Sequence, residues 1–456
     1  MKTRVFRSGK GDSLLLTSDI GGNILVDGGV PGAYADHLAT FLGRMRDDDE
    51  RLDLVCVSHI DRDHIGGILE LFDNEVAWRL YELWEDLPSH LRPRRRRRPR
   101  LRRPADVAAV WHNAFFENVR HGFINAINTD AAMADMEEVL LESALRYSGG
   151  SSLELNDPDG TAVTAAAAAN RAQFLGQSVG DAIELSRRIG SGQLGIDLNP
   201  QYGGEFVLRS NTIFELAGFK IRVLGPTAAE LKNLIGTWND WLRDRASWLK
   251  ELQRRHDRDE RRFADASIDD VLARARDNAI ALSGNMRVTP PNLASIIMHV
   301  ENDGQTILLT GDADDMSIVD GLQTAGLTDA DGRAQVDIFK VPHHGAHNSY
   351  SDTLAQTVVA RHYVFSGNGK DNNPETDVLN WYLEMLFDGR DGHPPSLPSS
   401  QRVMFWFNSG PDVGDHETTK LKRHWDKIER LMKKWRNQES RFRYRFMKSG
   451  DSFVVD

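Results

Sequence analysis

The sequence predicts an α/β fold that is interrupted by helical insertions. Short apolar runs that end in turns dominate residues 1–75 and 292–370 of this 456-residue chain. Residues 114–205 and 227–283 instead have helical character, and no internal repeat of fixed period is present. Strand-rich ends around a helical middle favour a single domain across residues 1–456.

The strands are predicted from apolar runs, each followed by turn residues. In chain order these runs span residues 13–16, 23–26, 52–57, 106–111, 213–224, 294–300, 306–309, 336–341, 362–365 and 402–407. We expect a helix at about 65–73. The C-terminal segment 408–456 should hold a helix of about 20 residues from Thr418 and a last pair of strands near 442–455.

Composition excludes several classes of protein. Hydrophobic residues make up 40% of the chain and charged residues 27%, which permits a sizeable core and rules out wholesale disorder. A net charge of −11 excludes a basic nucleic-acid coat, and a single cysteine, Cys56, excludes both a disulfide framework and a thiolate zinc finger. The N-terminus lacks a signal-like apolar run and no run is long enough to span a membrane, so we expect a cytoplasmic protein without a membrane partner.

A cluster of potential metal ligands follows the buried run 52–57. His59, Asp61, Asp63 and His64 lie where a loop can turn all four side chains toward one point. Imidazole nitrogen and carboxylate oxygen are good ligands for Zn²⁺, Mn²⁺ or Fe²⁺. A simple polar turn with a helix cap needs only one such residue, so the cluster favours a metal site.

Three other predicted strands end in the same kind of residue. Asp312 follows one, His343 and His344 follow another, and His112 with Asn113 follows a third. Ligand groups gather beyond strand ends in open α/β folds, so the sequence predicts one shared metal centre.

Five motifs in this order resemble the metallo-β-lactamase-fold hydrolases. They are Gly11-Asp12-Ser13, Val26-Asp27-Gly28-Gly29, the segment from His59 to Gly67, Thr310-Gly311-Asp312 and Val341-Pro342-His343-His344-Gly345. More narrowly, they resemble the branch that includes the soluble hydrolase domain of the DNA-uptake competence channel. The resemblance implies a four-layer αββα sandwich with two central sheets, helices outside and helical insertions.

The resemblance also implies roles for individual residues around two divalent metal ions, zinc or manganese. His59 and Asp61 would bind the first metal, Asp63 and His64 the second, and Asp312 both. His344 would complete the second metal, and His343 would face the scissile group. His112 would fill the third-motif position, for which Asn113 is the competing residue. Asp61 stands where many members have histidine, and its oxygen could shift the preference from zinc toward manganese.

The turn after the run 362–365 departs from the resembling family. Related proteins often carry His-Pro there, whereas this chain has Asn373-Pro374. Ser366, Asn368, Asn373 and Asn113 are candidate substrate-binding residues. If Asn373 replaces the family's histidine, a substrate contact or proton donor is altered. His347 could then serve as the acid, or be an exposed loop histidine.

Residues 92–104 contain nine arginines and three prolines. Like charges repel and proline blocks regular pairing, so an exposed, mobile loop is expected. The run could attract phosphate backbones, be a site for a trypsin-like protease between Arg92 and Arg103, or be a solvated loop without a specific task. Because it precedes the strand that carries His112, cleavage there could open or reshape the site.

These observations predict a dinuclear metal-dependent hydrolase in which Asp63 and His343 are catalytic residues. A phosphodiesterase or nuclease acting through a metal-activated water is favoured, with a nucleic acid or another phosphodiester as substrate. That preference rests on the competence-type resemblance and on the arginine run. The alternatives are hydrolysis of a small ester, amide or cyclic nucleotide, and a regulatory or scaffold protein that metals only stabilise.

Overall fold

The computed structural model describes residues 1–88, 97–113, 193–231, 294–413, 418–448 and 450–455, with residues 181, 184–186 and 188–190. Most of the two predicted helical insertions, 114–205 and 227–283, lies outside these residues. The arginine-rich segment up to residue 96 also lies outside them, and so does any protease site within it.

Fifteen strands form two sheets in the described part of the chain. They are β1 (Lys2–Phe6), β2 (Leu14–Thr17), β3 (Asn23–Val26), β4 (Leu54–Cys56), β5 (Ala109–Trp111), β6 (Asp197–Leu198), β7 (Ile213–Leu216), β8 (Phe219–Gly225), β9 (Ile297–Asn302), β10 (Gln305–Leu309), β11 (Ala334–Lys340), β12 (Val358–Phe365), β13 (Val403–Phe407), β14 (Phe442–Phe446) and β15 (Ser452–Val455). The first sheet has the order β15-β1-β2-β3-β4-β5-β6 and the second β14-β13-β12-β11-β10-β9-β8-β7.

Helices follow or connect these strands. In the described residues they are α1 (Ala39–Asp47), α2 (Arg62–Asp86), α3 (Asp315–Thr324), α4 (Asp352–Thr357), α5 (Thr376–Phe387) and α6 (Thr419–Gln438). Thr418 caps α6 by accepting a hydrogen bond from the Leu421 N–H, so this predicted helix is confirmed. Among the described residues, no helix combines the length and apolar character that crossing a bilayer requires.

Three apolar clusters show how the layers are arranged. One lies between the sheets and joins residues such as Val26 and Cys56 of the first sheet to Leu309 and Trp406 of the second. A second packs α1 and α2 on the outer face of the first sheet, and a third packs α3 to α6 on the outer face of the second sheet. The predicted αββα sandwich is therefore confirmed.

Parallel pairing determines where the polar residues after the strands meet. β3, β4, β5 and β6 are parallel in the first sheet, and β10 to β14 are parallel in the second. Each of the ten predicted strand segments contains a strand. Their carboxyl ends lie at the same edge of each sheet, which is where ligand-binding residues collect in α/β folds.

Close backbone approach fixes the first turn of α2 against the first sheet. A side chain at Gly67 would place its Cβ 2.0 Å from the carbonyl oxygen of Gly28, and one at Gly11 would lie 1.6 Å from the carbonyl oxygen of Asp63. Only glycine fits at either contact. The turn before β2, which contains Gly11, and the turn after β3, which contains Gly28, are thus held directly against the start of α2.

Two predictions of local structure are wrong. The last strands are not a pair, because β14 joins the second sheet whereas β15 pairs with β1 in the first. Residues 193–205 were expected to be helical, but β6 and a 3₁₀ turn at Pro200–Tyr202 lie there. In both cases pairing with a distant strand determines the conformation, and no local pattern reports such pairing.

In the described part of the arginine run, Arg103 is docked on α2, whereas Arg97, Arg98, Arg100 and Arg102 are exposed. Arg103 pairs with Glu75 at 2.7 Å and with Glu82, and Arg98 lies 5.1 Å above the ring of Trp78. Arg102 pairs with Asp47 of α1. The prediction of an exposed loop is therefore wrong for Arg103, because acidic residues on α2 neutralise its charge.

Phe453 provides a test of where β15 lies. Its ring stacks on Trp406 of the second sheet with centroids 5.3 Å apart. Phe453→Ala should lower the free energy of unfolding by about 3 kcal/mol, measured by urea denaturation, because a buried ring is lost. Val454→Ala is the control, since that half-buried side chain points to the opposite face. Equal losses in both variants would contradict this packing.

Candidate metal centre

The predicted ligands lie where the two sheets present their carboxyl ends to each other. His59 follows β4, Asp312 follows β10, and His344 follows β11. Asp61 is the residue before α2, and its side chain makes no capping hydrogen bond. Instead, Asp61 Oδ2 lies 3.8 Å from Nε2 of His59, which argues against a purely structural cap.

Asp312 is the centre of this arrangement. Its carboxylate is buried, and Oδ1 lies 3.3 Å from Nε2 of His64. Oδ2 lies 3.4 Å from Nε2 of His344, 3.7 Å from Nε2 of His343 and 3.9 Å from Nε2 of His59. Four imidazoles therefore present the same ring nitrogen to one carboxylate.

Asp63 joins the same group from the first turn of α2. Its Oδ2 lies 3.7 Å from Nε2 of His344 and 3.6 Å from Nζ of Lys10. Thus six of the seven predicted metal ligands form one connected set of side chains: His59, Asp61, Asp63, His64, Asp312 and His344.

Two further carboxylates lie behind the imidazoles. Asp27 Oδ2 is 2.8 Å from Nδ1 of His64, and its oxygens also accept hydrogen bonds from the N–H and hydroxyl of Ser58. Asp12 Oδ1 is 3.4 Å from Nδ1 of His344. A carboxylate on Nδ1 fixes the ring and leaves Nε2 available as a ligand.

Asp12 also belongs to a compact set of four buried residues that could hold a cation. Ligand atoms of Asp12, His64, Asp312 and His344 all lie within 4.8 Å of one another. Asp12 contacts both histidines through Nδ1, the ring nitrogen that faces away from Asp312. We therefore treat Asp12 as a group that orients ligands rather than as a ligand.

A buried lysine holds Asp12 in place. Lys340 is 1% exposed, and its ammonium contacts Asp12 Oδ2 closely and donates to the carbonyl oxygen of Gly311 at 3.0 Å. The same nitrogen lies 3.9 Å from Asp312 Oδ1. One cation thus connects the orienting carboxylate with the central one, which stabilises two negative charges away from water.

Strained backbone places two of the histidines. His343 and His344 have φ angles of 48° and 57°, in the left-handed region that non-glycine residues seldom adopt. Hydrogen bonds from His343 N–H to the Gly311 carbonyl and from Glu375 N–H to the Gly345 carbonyl hold the turn. Such strain persists only where the surroundings fix it, and it is concentrated at functional sites.

Several buried ligand atoms in this set have no hydrogen-bond partner. They are Nε2 of His59, His64 and His344 and Oδ1 of Asp312. Buried polar atoms are normally paired, so four such atoms around one point fit a bound cation. The mixture of imidazole and carboxylate is also the donor set that divalent zinc or manganese accepts.

The pKa values of the ligand histidines shift in different directions. Burial, together with the neighbouring His64, lowers the pKa of His59 to about 3, so this imidazole is neutral at pH 7. Burial would raise the pKa of Asp312, but His344 and His64 hold it well below its usual range. Burial would lower the pKa of His64 and of His344, but Asp312 raises both, that of His344 to about 9. These two imidazoles must therefore lose a proton when a metal binds, so metal affinity should rise with pH.

The third-motif residues are placed differently. His112 is fully buried, and burial lowers its pKa to about 3. Its backbone is held by Asn199, and it is outside the set of four residues whose ligand atoms converge. The side-chain amide of Asn113 donates to the Val207 carbonyl oxygen and accepts from the Val207 N–H, both at 2.8 Å. Both ends of the amide are therefore occupied by structural hydrogen bonds, which argues against the predicted contact with substrate.

The candidate substrate-binding turn packs against the histidine turn. A Cβ at Gly345 would lie 3.0 Å from Pro374, and a Cβ at Gly367 would lie 3.0 Å from the carbonyl oxygen of Asn373. Ser366 is buried with an unpartnered hydroxyl, and the Asn368 side chain accepts from the Lys370 N–H. Asn373 is 9% exposed, and its role stays a prediction.

His347 does not join the cluster. It is exposed, and its ring packs 4.9 Å from that of Trp381. His343 is the accessible histidine of the pair, with 21% of its side chain exposed against 5% for His344. With Nε2 3.7 Å from Asp312, His343 is therefore better placed than His347 to contact a substrate at the centre.

Sequence reasoning did not assign roles to three residues of the centre. Asp12 and Asp27 belong to quoted motifs, but a motif does not say that their side chains reach Nδ1 of a histidine. Lys340 is the last residue of a buried strand. Its position at the end of an apolar run indicates a buried, paired lysine, because lysine is almost never fully buried unless it is paired.

A family model matches about a quarter of the chain. Residues 7–124 match the family model for the metallo-beta-lactamase superfamily. Among solved structures, a long-form RNase Z from yeast is similar at 9% identity with a TM-score of 0.30. That alignment covers 90% of this chain and 36% of the RNase Z chain, so this chain spans about a third of its length. A search of the curated proteins gives no match.

Lys340→Met tests whether the buried lysine supports the centre. Without the ammonium, Asp12 stays buried with an unpaired charge, and its contact with His344 is no longer fixed. Metal affinity should fall about 10- to 100-fold, measured by titration of the metal-free protein with Zn²⁺ or Mn²⁺. Lys220→Met makes the same change at an exposed strand position and should leave the affinity unaltered. Unchanged affinity in Lys340→Met would contradict this role.

Proposed function

We propose that this protein is a metal-dependent hydrolase that acts on phosphodiesters, with nucleic acid as the favoured substrate. One observation carries the proposal, namely the convergence of Nε2 of three buried histidines on the Asp312 carboxylate with no hydrogen-bond partner. The family-model match over residues 7–124 supports a hydrolase of metallo-β-lactamase type.

The residues present fit two divalent cations. His59 and Asp61 would hold one, while Asp63, His64 and His344 would hold the other, with Asp312 between them. His112 remains the candidate third ligand of the first. When bound, such cations activate a water molecule as nucleophile and stabilise the negative charge that develops on the attacked group.

The chain itself supplies orientation and a proton carrier. Asp27 and Asp12 fix the rings of His64 and His344, so that the ligand nitrogens are positioned before substrate arrives. His343 lies at the accessible side, where Nδ1 is 3.2 Å from the Ser349 hydroxyl and Nε2 faces the centre. It can stabilise an anionic substrate group or give a proton to the leaving oxygen.

The nature of the ligands favours manganese over zinc. Three carboxylates, Asp61, Asp63 and Asp312, accompany three histidines in the proposed set. Oxygen donors suit manganese, whereas an all-histidine first site would suit zinc.

The preference for a phosphodiester rests on cationic groups and motifs. Lys10 lies beside Asp63 at the edge of the centre, with 29% of its side chain exposed, and is placed to contact an anionic substrate. The motif resemblance to the competence-type hydrolases and the arginines of residues 92–104 other than the paired Arg102 and Arg103 point the same way. A small ester has no need of such groups.

Asp312→Asn tests whether the centre is catalytic. The change keeps the shape of the side chain but removes its charge, so we expect loss of metal and at least a 100-fold loss of activity. Activity should be measured with Mn²⁺ and with Zn²⁺ on DNA, RNA and bis(p-nitrophenyl) phosphate, with circular dichroism as the folding control. A wild-type protein that binds metal but hydrolyses none of these substrates would contradict the proposed activity and favour the small-substrate hydrolase or the scaffold.

His343→Asn separates proton transfer from metal binding. Asparagine tolerates the left-handed backbone found at this position, so the turn should keep its shape. We expect kcat to fall about 100-fold while metal content stays unchanged, as is typical for loss of a general acid. His347→Asn is the matched control from the same loop. Should His347→Asn lower kcat and His343→Asn leave it unchanged, the assignment would be reversed.

A further inference from the structure

A cationic groove lies away from the metal centre, at the middle of β12 and the amino ends of β13 and β14. It has a volume of about 500 Å³. Its described lining consists of Arg361, His362, Ser400, Gln401, Arg402, Val403, Met404 and Arg443. None of these residues is acidic. Nothing in the proposed chemistry of the metal centre uses this groove.

The groove exists because the second sheet extends past the first. His362, Met404 and Arg443 are register neighbours on β12, β13 and β14, so they form one row across the sheet. Two residues further along β13, Trp406 is covered by Phe453 of β15, the edge strand of the first sheet. The row of His362, Met404 and Arg443 lies outside the area that Phe453 covers. The inner face of the second sheet is therefore open to solvent at this row.

The three arginines around this open face are only lightly neutralised. Arg361 is 66% exposed on its side chain and has Asp337 at 3.5 Å. Arg443 is exposed and donates only to backbone carbonyls, those of Ser440 and Phe442. Arg402 is exposed and forms no salt bridge with any described residue. Arg445, on the same face of β14 as Arg443, lies over the Trp406 ring.

We propose that this groove is a docking site for the phosphate backbone of a nucleic acid, separate from the metal centre. Guanidinium groups bind phosphate oxygens through two parallel hydrogen bonds, and several on one open face suit a repeating anion. Because the net charge is −11, a polyanion is repelled by the protein as a whole and is attracted only where cations are concentrated, as they are here.

The spacing between the groove and the centre predicts a dependence on substrate length. The groove lies on β12, β13 and β14, and the carboxyl end of β12 leads into the candidate substrate-binding turn that begins at Ser366. From Arg361 to Ser366 the chain covers about 17 Å at about 3.3 Å per residue. A duplex advances about 3.4 Å per nucleotide, so about five nucleotides are needed to reach from one site to the other.

The experiment compares binding and turnover in two double variants. Arg402→Ala with Arg443→Ala removes two groove cations. Arg44→Ala with Lys220→Ala removes two exposed cations elsewhere on the molecule. Binding of a fluorescent duplex of about 20 base pairs is measured by anisotropy from 50 to 200 mM salt, a range over which phosphate contacts are lost.

We expect Kd of the groove variant to rise about tenfold, and the slope of log Kd against log salt to fall by about two. The control pair should resemble the wild type. KM for the long duplex should rise in the groove variant, while hydrolysis of bis(p-nitrophenyl) phosphate should be unchanged because it cannot reach the groove. Only this kinetic part rests on the proposed function.

Three results would overturn the proposal. The first is unchanged duplex affinity in the groove variant, and the second is an equal loss in the control pair, which would show a general effect of charge. The third is competition for the groove by polyglutamate as strong as that by DNA, which would identify an acidic protein segment as the occupant. If the protein hydrolyses no substrate but still binds the duplex through the groove, the proposed function is refuted and the groove proposal stands.

Discussion

The structure depends on one buried carboxylate that is surrounded by imidazoles. Asp312 has Nε2 atoms of four histidines within 3.9 Å, and burial makes each of these contacts stronger than it would be in water. Ionised carboxylate and neutral or cationic imidazole are costly to bury separately. The surrounding turns, the glycine contacts and the parallel strand ends all serve to keep these groups at this one place.

Orientation of the ligands comes from a second layer of charge. Asp27 lies on the Nδ1 side of His64, and Asp12 lies on the Nδ1 side of both His64 and His344. Lys340 links Asp12 to the central carboxylate. This arrangement explains why Lys340 is tolerated in the core of the second sheet. A ligand ring that cannot rotate binds its metal without a further entropic cost, which is the general use of such outer residues.

Sequence patterns predicted the elements and the ligand cluster but not the pairing of distant segments. Apolar runs located the strands, and the spacing from His59 to His64 indicated a metal site before any geometry was known. The partner of β15 is β1, and no local pattern in 442–455 contains that information. The docking of Arg103 on Glu75 and the use of Asn113 by Val207 likewise depend on residues far away in sequence.

The centre is divided between the two sheets, and this division has a consequence for biosynthesis. Asp12, Asp27, Asp61 and Asp63 leave the ribosome early, whereas Lys340 and His344 emerge only after the long intervening stretch has been made. Until then, four carboxylates that will be crowded together have no cation from the second sheet to offset their repulsion. Within the nascent first half, Lys10 and His64 offset part of this repulsion, and the arrival of Lys340 and His344, or of a metal ion from the cell, offsets more of it.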